Sequence, residues 1–179
     1  MDDFWAWSEA NFTTPVMDGW SKGIPDFLPY SLIMNSTFTN LTVQDSVLTL
    51  NDALIEIRST IFDNNTCFGI DSSTLKGSGA TIVLRENVTF SDNVADSGGA
   101  ISLSNKSIMR AQGTQFLRNT ANRYGGVFML REVTSVALKN VNFDSNTAKQ
   151  VGAVIWASNG VKGTTITVTD SSFQNNNAY

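Results

Sequence analysis

The stretch Thr89-Phe90-Ser91-Asp92-Asn93-Val94-Ala95-Asp96-Ser97-Gly98-Gly99-Ala100-Ile101-Ser102-Leu103 decides the fold, because its punctuation returns down the chain. A phenylalanine, an asparagine three residues later and an alanine two beyond that occur at Phe90/Asn93/Ala95, Phe116/Asn119/Ala121, Phe143/Asn146/Ala148 and Phe173/Asn176/Ala178. Phe62/Asn65 is a further copy with Cys67 in the alanine slot, and the five phenylalanines are 28, 26, 27 and 30 residues apart. A fixed period of this size marks a stacked architecture, in which each repeat buries its apolar face only against its neighbours.

Apolar residues stand five and seven positions before the phenylalanine, as in Ile55 and Ile57, Val136 and Leu138, or Ile166 and Val168. A period of two is a strand pattern. A second strand-like run opens on glycine, at Gly98–Leu103 and Gly125–Leu130, and is expected again at Val151–Trp156. Each repeat therefore reads as about three short strands, one triangular coil of a parallel β-helix with coils about 4.8 Å apart. The expected fold is all-β, with about five to six coils. Phe stacks inward on the Phe of the next coil. Asn sits at a corner, where a ladder of amides pairs along the axis and satisfies turn carbonyls that water cannot reach. Alanine fits a crowded corner, and glycine supplies the backbone angles that leave it. The first copies are irregular: Phe38 has Leu41 in the Asn slot, and Arg85 in the minus-five slot before Phe90 implies a one-residue bulge that keeps Ile82 and Leu84 inward.

The chain of 179 residues is the length of one domain, and 41% hydrophobic content excludes a disordered tail. Its net charge is −4 and its 12 basic residues are scattered, so no electrostatic footprint for nucleic acid is present and no nucleic-acid partner is expected. One cysteine precludes an intrachain disulfide, and with no histidine in the chain the cysteine–histidine pairing and the common zinc sites are excluded. Cys67 reads as a buried structural thiol. The N-terminus Met1-Asp2-Asp3-Phe4-Trp5 is not a signal peptide, and no segment reaches transmembrane length. Residues 1–30 hold all three prolines and Trp5, Trp7 and Trp20. They read as an N-terminal cap or linker, or else as an exposed aromatic platform for sugars. Residues 31–179 form the repeat region. Because it ends inside a repeat without a polar cap, the expectation is a truncated piece of a longer chain.

No catalytic, cofactor-binding or metal-binding residue is assigned. A glycosidase needs two carboxylates flanking a sugar, whereas the recurring acids Asp63, Asp92 and Asp144 lie on the turn after each phenylalanine and read, with Arg118, as a solvated charge ladder. Six N-x-S/T sequons, at Asn11, Asn35, Asn40, Asn64, Asn87 and Asn105, barely exceed chance. They bear on glycosylation only in a secretory pathway. Alternation in the glycine-led strand predicts Val154 and Trp156 inward, and an outward stripe of Val127, Met129, Ala153 and Ile155 that offers a surface for a protein or glycan partner.

The alternation of Phe-x-x-Asn at 90–93 with Gly-Gly-Ala-Ile at 98–101, repeated at 116–119 and 125–128, resembles the repeats of chlamydial polymorphic outer-membrane proteins over about residues 54–179. The resemblance implies a right-handed, pectin-lyase-like parallel β-helix, non-enzymatic, structural or adhesive, within a larger extracellular or cell-surface protein. The alternative is a carbohydrate-active β-helix enzyme fragment lacking its catalytic residues, since fold alone does not assign activity.

Overall fold

A computed structural model describes residues 30–132, 135–158 and 164–179. These residues form a parallel β-solenoid of about five turns, roughly 27 residues each, with every strand pair parallel and in register. Most of the N-terminal segment 1–30 lies outside the described residues.

Each coil contributes to four sheets, one more than the three strands expected. In the third coil these strands are Thr81–Arg85, Thr89–Ser91, Val94–Ala95 and Ile101–Ser104. Their counterparts in the fourth are Ile108–Gln112, Gln115–Leu117, Thr120–Ala121 and Phe128–Arg131. Three of the four sheets have six strands and the last has five. Two strands of only two or three residues meet at the Asn corner, too short to leave an alternation legible in sequence.

The interior is built as expected. In the first sheet Ile55, Ile82, Met109 and Val136 pair in one row and Ile57, Leu84, Ala111 and Leu138 in the next, all buried. In the second sheet Phe38, Phe62, Phe90, Phe116, Phe143 and Phe173 form a continuous stack, with centroid spacings of 4.9, 4.5, 5.3, 5.3 and 4.6 Å. Phe128 meets Phe116 edge-on at 5.0 Å from the fourth sheet.

The asparagine ladder closes the corner. Asn93 Nδ2 donates to Asn119 Oδ1 at 2.9 Å and to the Phe62 carbonyl at 2.9 Å. Asn119 repeats this toward Asn146 Oδ1 and the Phe90 carbonyl. Each Oδ1 also accepts the backbone N–H of the asparagine one coil earlier, as in Asn119 N–H to Asn146 Oδ1 at 2.9 Å. Leu41 joins through its backbone, its N–H donating to Asn65 Oδ1. One amide thus satisfies three buried groups, which would otherwise cost about 1–3 kcal/mol each.

The corner turns by a left-handed residue immediately before each asparagine slot, Leu41 included. Asn40, Asn64, Asp92, Arg118, Ser145 and Asn175 all have φ between 51° and 58°. The expected bulge after Arg85 also appears, with both Glu86 and Asn87 left-handed while Ile82 and Leu84 stay buried.

The fourth sheet corrects the expected outward stripe. Gly98, Gly125 and Gly152 are left-handed at equivalent corners, and a Cβ on Gly125 would lie 2.0 Å from the Phe128 carbonyl oxygen. Gly152-Ala153-Val154-Ile155 therefore aligns with Gly98-Gly99-Ala100-Ile101, one residue later than read from Val151. Ile155 pairs with Phe128 and packs against the core, and Trp156 pairs with Met129 on the outer side. Val127 is fully buried because the Ala100 and Ile101 N–H groups share the Val127 carbonyl, and Val127 and Phe128 share that of Val154. This pinch brings two consecutive residues inward, as at a β-bulge. Ala153 is half-buried at the corner. Met129 does face away from the core, yet it is only 2% exposed.

Phe116→Ala is expected to cost about 3–5 kcal/mol, the range for emptying a buried ring site. Asn119→Ala should cost about 1–3 kcal/mol, and Arg118→Ala, on the solvated turn, about 0.5 kcal/mol. Denaturant melts of the three variants check the order; a loss at Arg118 as large as at Phe116 would mean that the stack is not the core.

Candidate functional site

Recurring positions serve the interior, so the non-recurring ones carry whatever distinguishes this chain. The densest set lies outside the fourth sheet, at the corner that leads into it. Asp71 of the second coil, Asp96 of the third, and Arg123 and Arg131 of the fourth form one ion cluster. Arg131 Nη1 and Nη2 clasp Asp71 at 2.7 and 3.1 Å. Arg123 Nη2 reaches Asp71 at 2.8 Å, its Nε lies 3.0 and 2.9 Å from the two Asp96 oxygens, and its Nη2 also bonds Asp96. The Asp71 N–H donates to Asp96 Oδ2 at 2.8 Å.

Two rings flank the cluster. Tyr124 and Trp156 stack at 4.8 Å, and the Arg123 guanidinium lies 5.4 Å from the Tyr124 centroid. Both rings are half-buried. Planar guanidinium and aromatic groups side by side make a surface suited to contact by stacking and by directed hydrogen bonds.

Proton transfer is a different matter. Burial opposes the ionised form of Asp96, but hydrogen bonds from the Arg123 side chain and the Asp71 amide outweigh it and hold the carboxyl below its ordinary range. A general acid for glycoside cleavage needs the opposite shift. The cluster is thus arranged to hold charge in place.

The residues singled out from sequence fall elsewhere. Arg118 makes a two-pronged pair with Asp92, at 2.8 and 2.7 Å, on an exposed turn. Its guanidinium is favoured in the charged form chiefly by the Asp92 hydrogen bond. Asp63 accepts from the Ser91 hydroxyl, and Asp144 is held low by hydrogen bonds from Asn175 and Ser145. All three acids act on the Arg118 guanidinium, so they flank one charge along the turns, as a charge ladder does. Cys67 is buried, and burial pushes its thiol up to about 11, so it stays protonated at neutral pH. Among the described residues no group of three or more His, Cys, Asp or Glu is placed to hold a metal ion, and no helix is long and apolar enough to cross a membrane. The described sequon asparagines, Asn35, Asn40, Asn64, Asn87 and Asn105, are exposed and left-handed, a conformation that asparagine tolerates well.

Sequence reasoning missed the Asp71 cluster. Its hydrogen-bonded pairs are 25 to 60 residues apart and none recurs with the period. The isolated Asp71 at a corner that elsewhere carries glycine was the one available signal.

Residues 87–104 match the model of the Chlamydia polymorphic membrane protein repeat. A transmembrane domain-containing protein of Dictyostelium discoideum is 36% identical over 73 residues, a stretch that covers 41% of this chain and 4% of that protein. No solved structure matches the chain significantly.

Asp71→Ala is expected to destabilise the fold by about 1–2 kcal/mol, since it removes charge-assisted bonds to two arginines. Because the folded-state pKa of Asp96 is depressed, its contribution is fully present above the unfolded value of about 3.9 and is lost as pH falls through the lower folded value. Acid titration of stability should therefore show a smaller loss in Asp96→Asn than in the parent. An equal loss would mean that the pair is not coupled to folding.

Proposed function

We propose that this chain is a structural or adhesive β-solenoid segment of a larger extracellular or cell-surface protein, without enzymatic activity. The observation that carries this reading is the use made of the periodic polar residues. The asparagines are consumed by the interior ladder, Asp92 by Arg118, and Asp144 by Asn175 and Ser145. Asp144 is held below the ordinary carboxylate range by those hydrogen bonds, the opposite of what an acid catalyst needs. The polymorphic membrane protein repeat at 87–104 supports a surface setting. A solenoid suits this role because its rigid interior presents long side faces at fixed spacing.

The contact surface we assign is the outer side of the fourth sheet, at Tyr124, Trp156 and Arg131, in place of the stripe through Val127 and Ile155. Its partner is a protein or glycan surface, recognised by ring stacking and guanidinium hydrogen bonds.

Beads coated with the protein should adhere to a glycan- or protein-coated surface, and Trp156→Ala should reduce retention with the far-ultraviolet β signal unchanged. Retention unaffected by Trp156→Ala would remove that face from the account. Purified protein should leave polygalacturonate uncleaved with or without calcium. Cleavage abolished by Asp92→Asn or Asp144→Asn would overturn the non-enzymatic reading.

A further inference from the structure

The sequons are ordinary in number and unusual in placement. The 18 asparagines divide evenly about residue 107, nine on each side, yet all six N-x-S/T sequons begin before it. Serine and threonine supply 25 of residues 1–107 and 13 of residues 108–179, so chance gives about two sequons on each side. Six against none therefore divides the solenoid near the join of its third and fourth coils.

Local conformation does not account for the division. Asparagine suits a left-handed corner and threonine a strand, preferences that by themselves would bring the two together in every coil. Asn140 and Asn175 occupy left-handed corners in later coils, with φ of 52° and 53°, but Asn142 and Asn177 stand where the hydroxyl would be. The buried ladder residues Asn93, Asn119 and Asn146 have alanine at that place, so no sequon falls where a glycan would break the interior.

Placement around the coil is selective as well. Asn87 lies between the first and second sheets, Asn64 between the second and third, and Asn105 between the fourth and first, all three exposed. No described sequon stands at the remaining corner, from the third sheet to the fourth, where Asp71, Asp96, Arg123 and Tyr124 gather. At Asn105 the sequon hydroxyl is sealed in the fold, since Ser107 Oγ donates to the Ser104 carbonyl and accepts the Ala80 N–H. That site is reached on the extended chain, before the corner closes.

We propose that Asn64, Asn87 and Asn105 carry N-linked glycans that sheathe three corners of the second and third coils and leave the Asp71–Arg123 corner bare. The inference rests on the cell-surface reading, because the sugar donor is met on the secretory route. In the transfer, the amide nitrogen bonds to C1 of a lipid diphosphate-linked oligosaccharide and gives up one proton. The bond from C1 to the diphosphate oxygen breaks, and the lipid diphosphate leaves. Asn64 Nδ2 donates to Asn40 Oδ1 at 2.7 Å, and the glycosylated amide keeps one hydrogen for that bond. Bulky and hydrated, the glycans exclude a partner from the corners they occupy and steer contact to Tyr124, Trp156 and Arg131.

The test secretes the full chain from a eukaryotic cell behind a cleavable signal, treats it with peptide N-glycosidase, and maps the asparagines that the enzyme converts to aspartate. Asn64, Asn87 and Asn105 should be converted in most copies. The same map on chain translated into microsomes keeps the result independent of export. Recovery of these residues as unmodified asparagine overturns the proposal. Steering is read with the coated beads, which should be retained equally before and after deglycosylation. A new glycan at the bare corner, introduced by Lys149→Asn with Val151→Thr beside the Arg123 backbone, should lower retention to that of uncoated beads. Retention that survives this added glycan, or that falls on deglycosylation, overturns the steering. Occupied sites on a protein that adheres to nothing would count against the contact surface alone.

Discussion

Every other feature of this molecule depends on satisfying backbone polar groups at one dry corner. A coil of about 27 residues has no core of its own, and where its chain turns from the second sheet to the third, the phenylalanine carbonyl and the asparagine N–H face inward. Water is excluded there by the phenylalanine stack on one side and by Ala95, Ala121 and Ala148 on the other. A primary amide is the one uncharged side chain that offers two donors and an acceptor at this size. Repeated once per coil, it converts a desolvation cost into a chain of bonds parallel to the sheet ladders. Ring, amide and small residue are therefore one constraint expressed three times, and they must recur with the same period.

This explains which parts of the fold were legible in the sequence. Interior groups can be read because stacking forces identity from coil to coil: Ile55, Ile57, Phe62 and Asn65 each predict the residues above them. Corners are less legible because several residue types serve. The left-handed slot before the asparagine is filled by Asn64, Asp92, Arg118 and Ser145 in turn, and nothing in Arg118 or Ser145 announces a turn. The register of the last glycine-led strand was misread for a related reason. Alternation was counted from Val151, whereas the conformational demand falls on Gly152, and one residue of slip exchanges the faces of Ile155 and Trp156.

The outer faces were the least legible, and they are where this chain is individual. Asp71 meets Arg131 across two coils, and Glu56 meets Arg85 across one. Neither pair is marked by periodicity, since selection on a side face acts on what touches it and not on the next coil. The interior holds these faces about 4.8 Å apart per coil without constraining their chemistry. A rigid, repetitive inside with a variable outside is the physical basis for reading the chain as a contact scaffold.

The central claim is that the asparagine ladder ties successive coils into one cooperative body. Native-state hydrogen exchange followed by NMR at the backbone N–H and Nδ2 groups of Asn93 and Asn119 tests it most directly. The account predicts that these protons exchange only through global unfolding, with the same free energy as the N–H of Phe90 and Phe116. Exchange at rates near those of solvent-exposed amides would show that the corner is wet, and that the ladder does not hold the coils together.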